Sequence, residues 1–107
     1  MLVNDLEQMI DRREEGRLVC ETNDLGRPRK LLRYRPPGAG ELNHLLSVSM
    51  RDVKPSAADL RLVEHALRRA TAVHHLNISG PYRVQQKAVY HVYRLVWREE
   101  ADQPKLL

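Results

Sequence analysis

The feature that most constrains the fold is the run at 88–98, Ala-Val-Tyr-His-Val-Tyr-Arg-Leu-Val-Trp-Arg. Val, Tyr and Trp are favoured on the pleated surface of a sheet, and β-branched residues lose side-chain freedom in a helix. Apolar residues occupy both alternating sets of positions, which is typical of a central strand or of one covered on both faces. The run therefore predicts a long strand inside a sheet.

A helix is the alternative for this region, because Pro81 suits a first helical turn. Four apolar residues recur at helical spacing: Val84, Ala88, Val92 and Leu95. A helix over 81–100 after one over 57–71 would permit a helix-turn-helix arrangement. The content of β-branched and aromatic residues favours the strand.

Capping residues predict two helices. Ser56 and Asp59 have the spacing of a capping box, and an apolar stripe follows, which predicts a helix over 57–71. Asn4 and Glu7 have the same spacing and predict a helix over 5–15 that Gly16 ends.

Four shorter segments complete the predicted elements. Alternating residues over 17–22 and 30–35, joined by Asn23-Asp24-Leu25-Gly26, predict a β-hairpin with Leu18 and Cys20 on the core face of its first strand. Strands are also expected at 44–50 and at 73–79, where Gly80-Pro81 ends the second one. Pro36-Pro37-Gly38-Ala39-Gly40 is a loop.

These elements predict an α+β fold: a mainly antiparallel sheet of about five strands with two packed helices. The chain of 107 residues is expected to form one domain, 1–107, since domains usually hold roughly 100–200 residues. It comprises the helix 5–15, the basic hairpin 17–35, a strand-helix-strand-strand unit at 44–98 and a tail at 99–107.

Targeting signals are not evident. No stretch approaches the roughly 20 apolar residues of a membrane span. Asp5 and Glu7 argue against a signal peptide, and the single cysteine, Cys20, excludes an internal disulfide. We therefore expect a cytoplasmic location.

Charge is unevenly distributed along the chain. Residues 1–24 carry seven acids and three bases, whereas residues 25–98 carry four acids and fourteen bases. Residues 99–107 are acidic again, with three acids and one base. A basic body suits an anionic partner such as nucleic acid, a nucleotide or an acidic protein face, although net charge also serves solubility alone.

The sharpest feature is a cluster of five cations in nine residues: Arg27, Arg29, Lys30, Arg33 and Arg35. A two-stranded ribbon can enter a major groove, and arginine pairs bidentately with phosphate or guanine. Arg83, Lys87 and Arg94 extend this patch if the closing strand lies nearby. Tyr34 is available for base stacking unless, as alternation indicates, it faces the core. The alternative is a solvated strand edge on which cations deter aggregation.

Catalytic and metal-binding signatures are missing. The sequence contains no GxxxxGK[ST], GxGxxG, HExxH or GxSxG pattern. Adjacent residues His74 and His75 would point to opposite faces of a strand, and His44, His75 and His91 would meet only if three strands aligned. We expect no enzymatic activity, no cofactor and no metal.

One pattern resembles a known group. Leu45-Leu46-Ser47-Val48-Ser49, the capped helix, and the closing Tyr90-His91-Val92-Tyr93-Arg94-Leu95-Val96-Trp97-Arg98 resemble small uncharacterised proteins often found in phage genomes. Those proteins have a Ser-Val-Ser strand, a helix opened by a Pro-Ser/Thr segment and a strand ending in Leu-x-Trp-Arg. The resemblance covers residues 44–98, departs at 72–87, and implies an α+β fold and a viral accessory role without assigning functional residues.

The sequence thus predicts non-enzymatic binding of nucleic acid or a nucleotide. A protein-interaction module that inhibits a host enzyme or defence factor is the alternative, and an exposed apolar patch or unpaired sheet edge would favour it. Either prediction is compatible with a homodimer.

Overall fold

The computed structural model describes residues 2–20 and 30–99. Within them it forms two helices and five strands. In chain order these are α1 (Leu2–Asp11), β1 (Gly16–Cys20), β2 (Lys30–Arg35), β3 (Asn43–Arg51), α2 (Ala57–Ala70), β4 (Val73–Gln85) and β5 (Val89–Glu99). None of the described helices is long and apolar enough to cross a membrane.

The five strands form one sheet in the order β1-β2-β3-β5-β4, with every neighbouring pair antiparallel. The α+β prediction is therefore confirmed. Because β3 and β4 are both antiparallel to β5, they run parallel to each other, and with α2 they form a split β-α-β unit. The strand predicted at 88–98 is β5, an interior strand that pairs with β3 on one side and β4 on the other, and the helical alternative for 81–100 is wrong.

Two predicted boundaries are corrected. Helix α1 runs from Leu2 to Asp11, so Asn4 lies inside its first turns instead of capping it, and the chain leaves the helix before Gly16. Strand β4 does not end at Gly80-Pro81 but continues to Gln85. Its pairing with β5 shifts register twice, which identifies two bulges that admit His75 and Gly80 at positive φ.

Helix α2 begins as its sequence predicts. The Ser56 side chain accepts from the backbone N–H of Asp59, and the Asp59 carboxylate accepts from the backbone N–H of Ser56. Asp59 also accepts from Lys30 Nζ at 2.5 Å, which ties the start of α2 to the start of β2. Although partial burial alone would raise the pKa of Asp59, hydrogen bonds from Lys30 and Ser56 outweigh it and hold that pKa below 3.8.

The core lies on one face of the sheet. Its strand residues belong to one alternating set on β2, β3 and β5, and both helices pack against them. The buried apolar residues are Leu6, Ile10, Leu32, Tyr34, Leu46, Val48, Val63, Ala66, Leu67, Leu95 and Trp97. The other alternating set, here called the open face, consists of half-buried and exposed residues.

The bulge at Gly80 generates a stability prediction. A Cβ there would come within 2.6 Å of the Val92 carbonyl oxygen, at a φ of +124°. Gly80→Ala should therefore lower the free energy of unfolding by roughly 2–4 kcal/mol, measured by urea denaturation. Gly40→Ala is the matched control, because φ is +77° but nothing lies within 4 Å of its Cβ. It should cost about 1 kcal/mol, and equal losses would contradict the argument.

Candidate nucleic-acid interface

Strand register arranges the open face in rows that cross the sheet. Arg17 of β1 lies opposite Arg33 of β2, Arg33 opposite Ser47 of β3, and Ser47 opposite Arg94 of β5. We call Arg17, Arg33 and Arg94 the arginine row. Strands are about 4.8 Å apart, so this row extends about 14 Å across the sheet.

The next row along the strands is mostly apolar. Val19 lies opposite Leu31, Leu31 opposite Ser49, Ser49 opposite Val92, and Val92 opposite Tyr82. We call Val19, Leu31, Val92 and Tyr82 the apolar row. Val19 is 46% exposed and Tyr82 47%, so the fold leaves much of this row in contact with solvent.

Positive charge is concentrated on the arginine row. Arg17, Arg33 and Arg94 are exposed, and none of them has an ion-pair partner within residues 2–20 and 30–99. Arg35 adds a further exposed cation two residues from Arg33. Like charges directly opposite each other on neighbouring strands are destabilising, so the Arg17–Arg33 pair works against folding.

The open face is concave. A groove of about 500 Å³ is lined by residues of all five strands, from Arg17 and Val19 on β1 to Val84 on β4. Since β1 and β4 are the two opposite edges of the sheet, the edges curve toward a common hollow. A second hollow of about 510 Å³ adjoins it around Arg33 and Arg35, and Glu15 is the one carboxylate in the described lining of the two.

The residues predicted from the basic cluster do not all lie on this face. Arg33 and Arg35 do, whereas Lys30 lies on the helix side, bonded to Asp59. Arg83 lies opposite His91 on the helix-side set, and Lys87 lies in the exposed turn between β4 and β5. Arg27, Arg29 and the predicted turn 23–26 lie outside the described residues, as does the side chain of Cys20.

Sequence reasoning missed Arg17 as a site residue and gave Arg94 only a conditional place. Alternation alone places Arg17 on the face opposite Leu18, but its position against Arg33 depends on the exact register of the β1–β2 pair. Arg94 joins the row only because β5 inserts beside β3, with Ser47 opposite it.

Tyr34 belongs to a buried aromatic stack and not to the open face. Tyr34, His44 and Trp97 are fully buried, with ring centroids 4.9 Å apart for His44 and Trp97 and 6.0 Å apart for Tyr34 and His44. Their planes lie 14° and 24° apart, respectively. Tyr34 is therefore not accessible for stacking on a base.

Polar groups complete this buried cluster. Tyr34 Oη lies 2.8 Å from His44 Nδ1, and His44 Nε2 lies 3.4 Å from a carboxylate oxygen of Glu99. Glu99 also accepts from Arg13 and Thr71, which connects β5 to the segment after α1 and to the end of α2. Because its rings are closed to solvent, the cluster serves the fold and offers no entrance for a substrate.

The histidines do not assemble a metal site. His44 lies opposite Trp97 while His91 lies opposite Met50, which places them at different ends of the β3–β5 ladder. Within the described part of the chain, no three His, Cys, Asp or Glu side chains are placed to hold a metal ion.

Comparison of the chain with protein-family models, curated proteins and solved structures gives no match.

Burial of Tyr34 generates an alkaline stability prediction. Burial and the negative charge of Glu99 raise the pKa of Tyr34 from 10.0 to about 12, and the positive charge of Arg13 offsets part of this rise. The neutral phenol is favoured in the folded state. Its contribution to the free energy of unfolding is therefore complete below pH 10 and is lost as pH rises toward 12.

Tyr34→Phe should remove this pH dependence. At neutral pH the variant should be less stable by about 1–3 kcal/mol, because His44 loses a buried hydrogen-bond partner. The difference from the wild type should shrink between about pH 10 and about pH 12, measured by urea denaturation. A constant difference over that range would contradict the assignment.

Repulsion between Arg17 and Arg33 generates a second prediction. Arg33→Glu replaces the like-charge pair with Arg17 by an opposite-charge pair. The new carboxylate also lies two residues from a second cation, Arg35, on the same strand. The variant should be more stable by roughly 0.2–1 kcal/mol, seen as a higher urea midpoint. Arg12→Glu, at an exposed position outside the sheet, is the control and should give no such gain. A loss of stability in Arg33→Glu would argue against uncompensated repulsion on the open face.

Proposed function

We propose that the protein is a non-enzymatic nucleic-acid-binding protein that holds its ligand on the open face. The observation that carries this proposal is the arginine row: three exposed arginines in register, none paired with a carboxylate of the described chain. Arg17 and Arg33 are direct neighbours, an arrangement that favours an anion lying between or above them.

The form of the row favours a polymer over a single nucleotide. Each guanidinium can hold a phosphate through two parallel hydrogen bonds, and the cations are distributed over about 14 Å. Regularly repeated phosphates can contact all three arginines at once, whereas one phosphate group satisfies one or two. Arg35 and the exposed Arg98, which donates to Asn43, extend the positive charge along the same face.

Phosphate contacts of this kind release condensed counterions, so affinity should fall steeply as salt concentration rises. Fluorescence anisotropy with labelled single-stranded and duplex oligonucleotides over a salt series tests the proposal. We expect Arg33→Glu/Arg94→Glu to weaken binding at least tenfold and to flatten the dependence on salt. Each lost phosphate contact should reduce the slope by roughly 0.7–0.9.

The matched control is Arg12→Glu/Arg61→Glu, which makes the same change in net charge at two exposed positions away from the open face. It should retain most of the affinity. Equal weakening by both pairs would show that net charge alone drives binding, and no binding by the wild type at low salt would refute the proposal. Urea denaturation of each variant separates lost binding from lost folding.

A protein partner is the second candidate. The apolar row and Val84, which is 38% exposed, provide apolar contact area beside the arginines, which suits an acidic protein face. Strand β1 is an edge strand of the described sheet and suits strand addition. Stoichiometric capture of one protein, insensitive to moderate salt and to competing nucleic acid, would favour this candidate. Inhibition of a host factor, a viral accessory role and a homodimer stay predictions.

A further inference from the structure

We infer that the ligand of the open face is a single strand of nucleic acid, whose phosphates lie over the arginine row and whose bases lie against the apolar row. This inference rests on the proposed function and adds which nucleic acid the face selects. Nothing in the arginine row alone distinguishes a single strand from a duplex, since both carry phosphates.

The distinction comes from the spacing of the two rows. On β1, β2 and β5, each residue of the apolar row lies two positions from the arginine of the same strand, as Val19 does from Arg17. Two residues of an extended strand span about 7 Å. A nucleotide likewise places its base to one side of its phosphate, so a chain crossing the strands would follow both rows together.

Exposed apolar area indicates what the bases would contact. Tyr82 is 47% exposed and ends the apolar row, and Tyr90 lines the groove together with Val84. Tyrosine rings stack on bases of any sequence. A duplex encloses its base faces within its own stack and presents base edges and backbone, so it cannot cover these side chains in the same way.

The centre of the groove has room for a base. Strand β3 places a serine in line with each row: Ser47 lies between Arg33 and Arg94, and Ser49 lies between Leu31 and Val92. These side chains are short, so the floor is low between longer neighbours. The Ser47 hydroxyl can donate to or accept from a base edge or a phosphate, whereas the Ser49 hydroxyl already donates to the Leu31 carbonyl at 3.4 Å.

Anisotropy titrations with labelled oligothymidylate and oligouridylate of about twelve nucleotides, and with a duplex of the same length, test this inference. Both single strands should bind at least about tenfold more tightly than the duplex at equal salt. Tyr82→Ala should weaken single-strand binding by about fivefold or more and leave the salt slope unchanged. Arg33→Gln should reduce that slope by about 0.7.

Leu62→Ala is the matched control, because Leu62 is 56% exposed on α2 and lies away from the sheet. It should leave single-strand affinity unchanged. If Tyr82→Ala lowers stability in urea, Tyr82→Leu provides the same comparison, since it keeps apolar area but not an aromatic ring.

The outcomes separate this inference from the proposed function. Equal or tighter duplex binding, with Tyr82→Ala silent and the arginine variants weakened, would overturn the single-strand assignment and leave nucleic-acid binding intact. Absence of binding to every probe at low salt would overturn both. A preference for single strands that Tyr82→Ala and Leu62→Ala reduce equally would overturn the placement of bases on the apolar row.

Discussion

The arrangement of the open face depends on the ring stack of Tyr34, His44 and Trp97 on the opposite face. These rings come from the adjacent strands β2, β3 and β5 and are fully buried. Side chains alternate between faces, so a slip of one residue in any of these strands would expose a large ring and bury a charged or polar neighbour. The stack therefore fixes the register that aligns Arg33, Ser47 and Arg94.

The same alternation explains how much the sequence could predict. Composition was sufficient for β5, because a run rich in Val, Tyr and Trp is suited to an interior strand of a sheet. The capping box was sufficient for the start of α2. Both features are local. Tyr34 was correctly expected in the core, since its alternation with Leu32 depends only on its own strand.

The arginine row could not be predicted in the same way, because it combines residues from three strands whose order in space differs from their order in the chain. β5 lies between β3 and β4, and only that insertion brings Arg94 to the row. Clustering in the sequence was a poor guide as well. Lys30 and Arg33 are three residues apart and lie on opposite faces of the sheet. Lys30 anchors α2 through Asp59, whereas Arg33 forms no ion pair with the described residues.

That contrast between Lys30 and Arg33 bears on function more directly than net charge does. Lys30, on the helix side, has a carboxylate partner and helps the fold. On the open face, Arg17 and Arg33 oppose each other, and exposed apolar side chains lie beside them, although the fold gains stability from neither arrangement. Residues that cost stability and form one continuous surface are typical of binding sites. A ligand with regularly spaced negative charges and flat apolar faces would compensate both costs at once, and single-stranded nucleic acid has both properties.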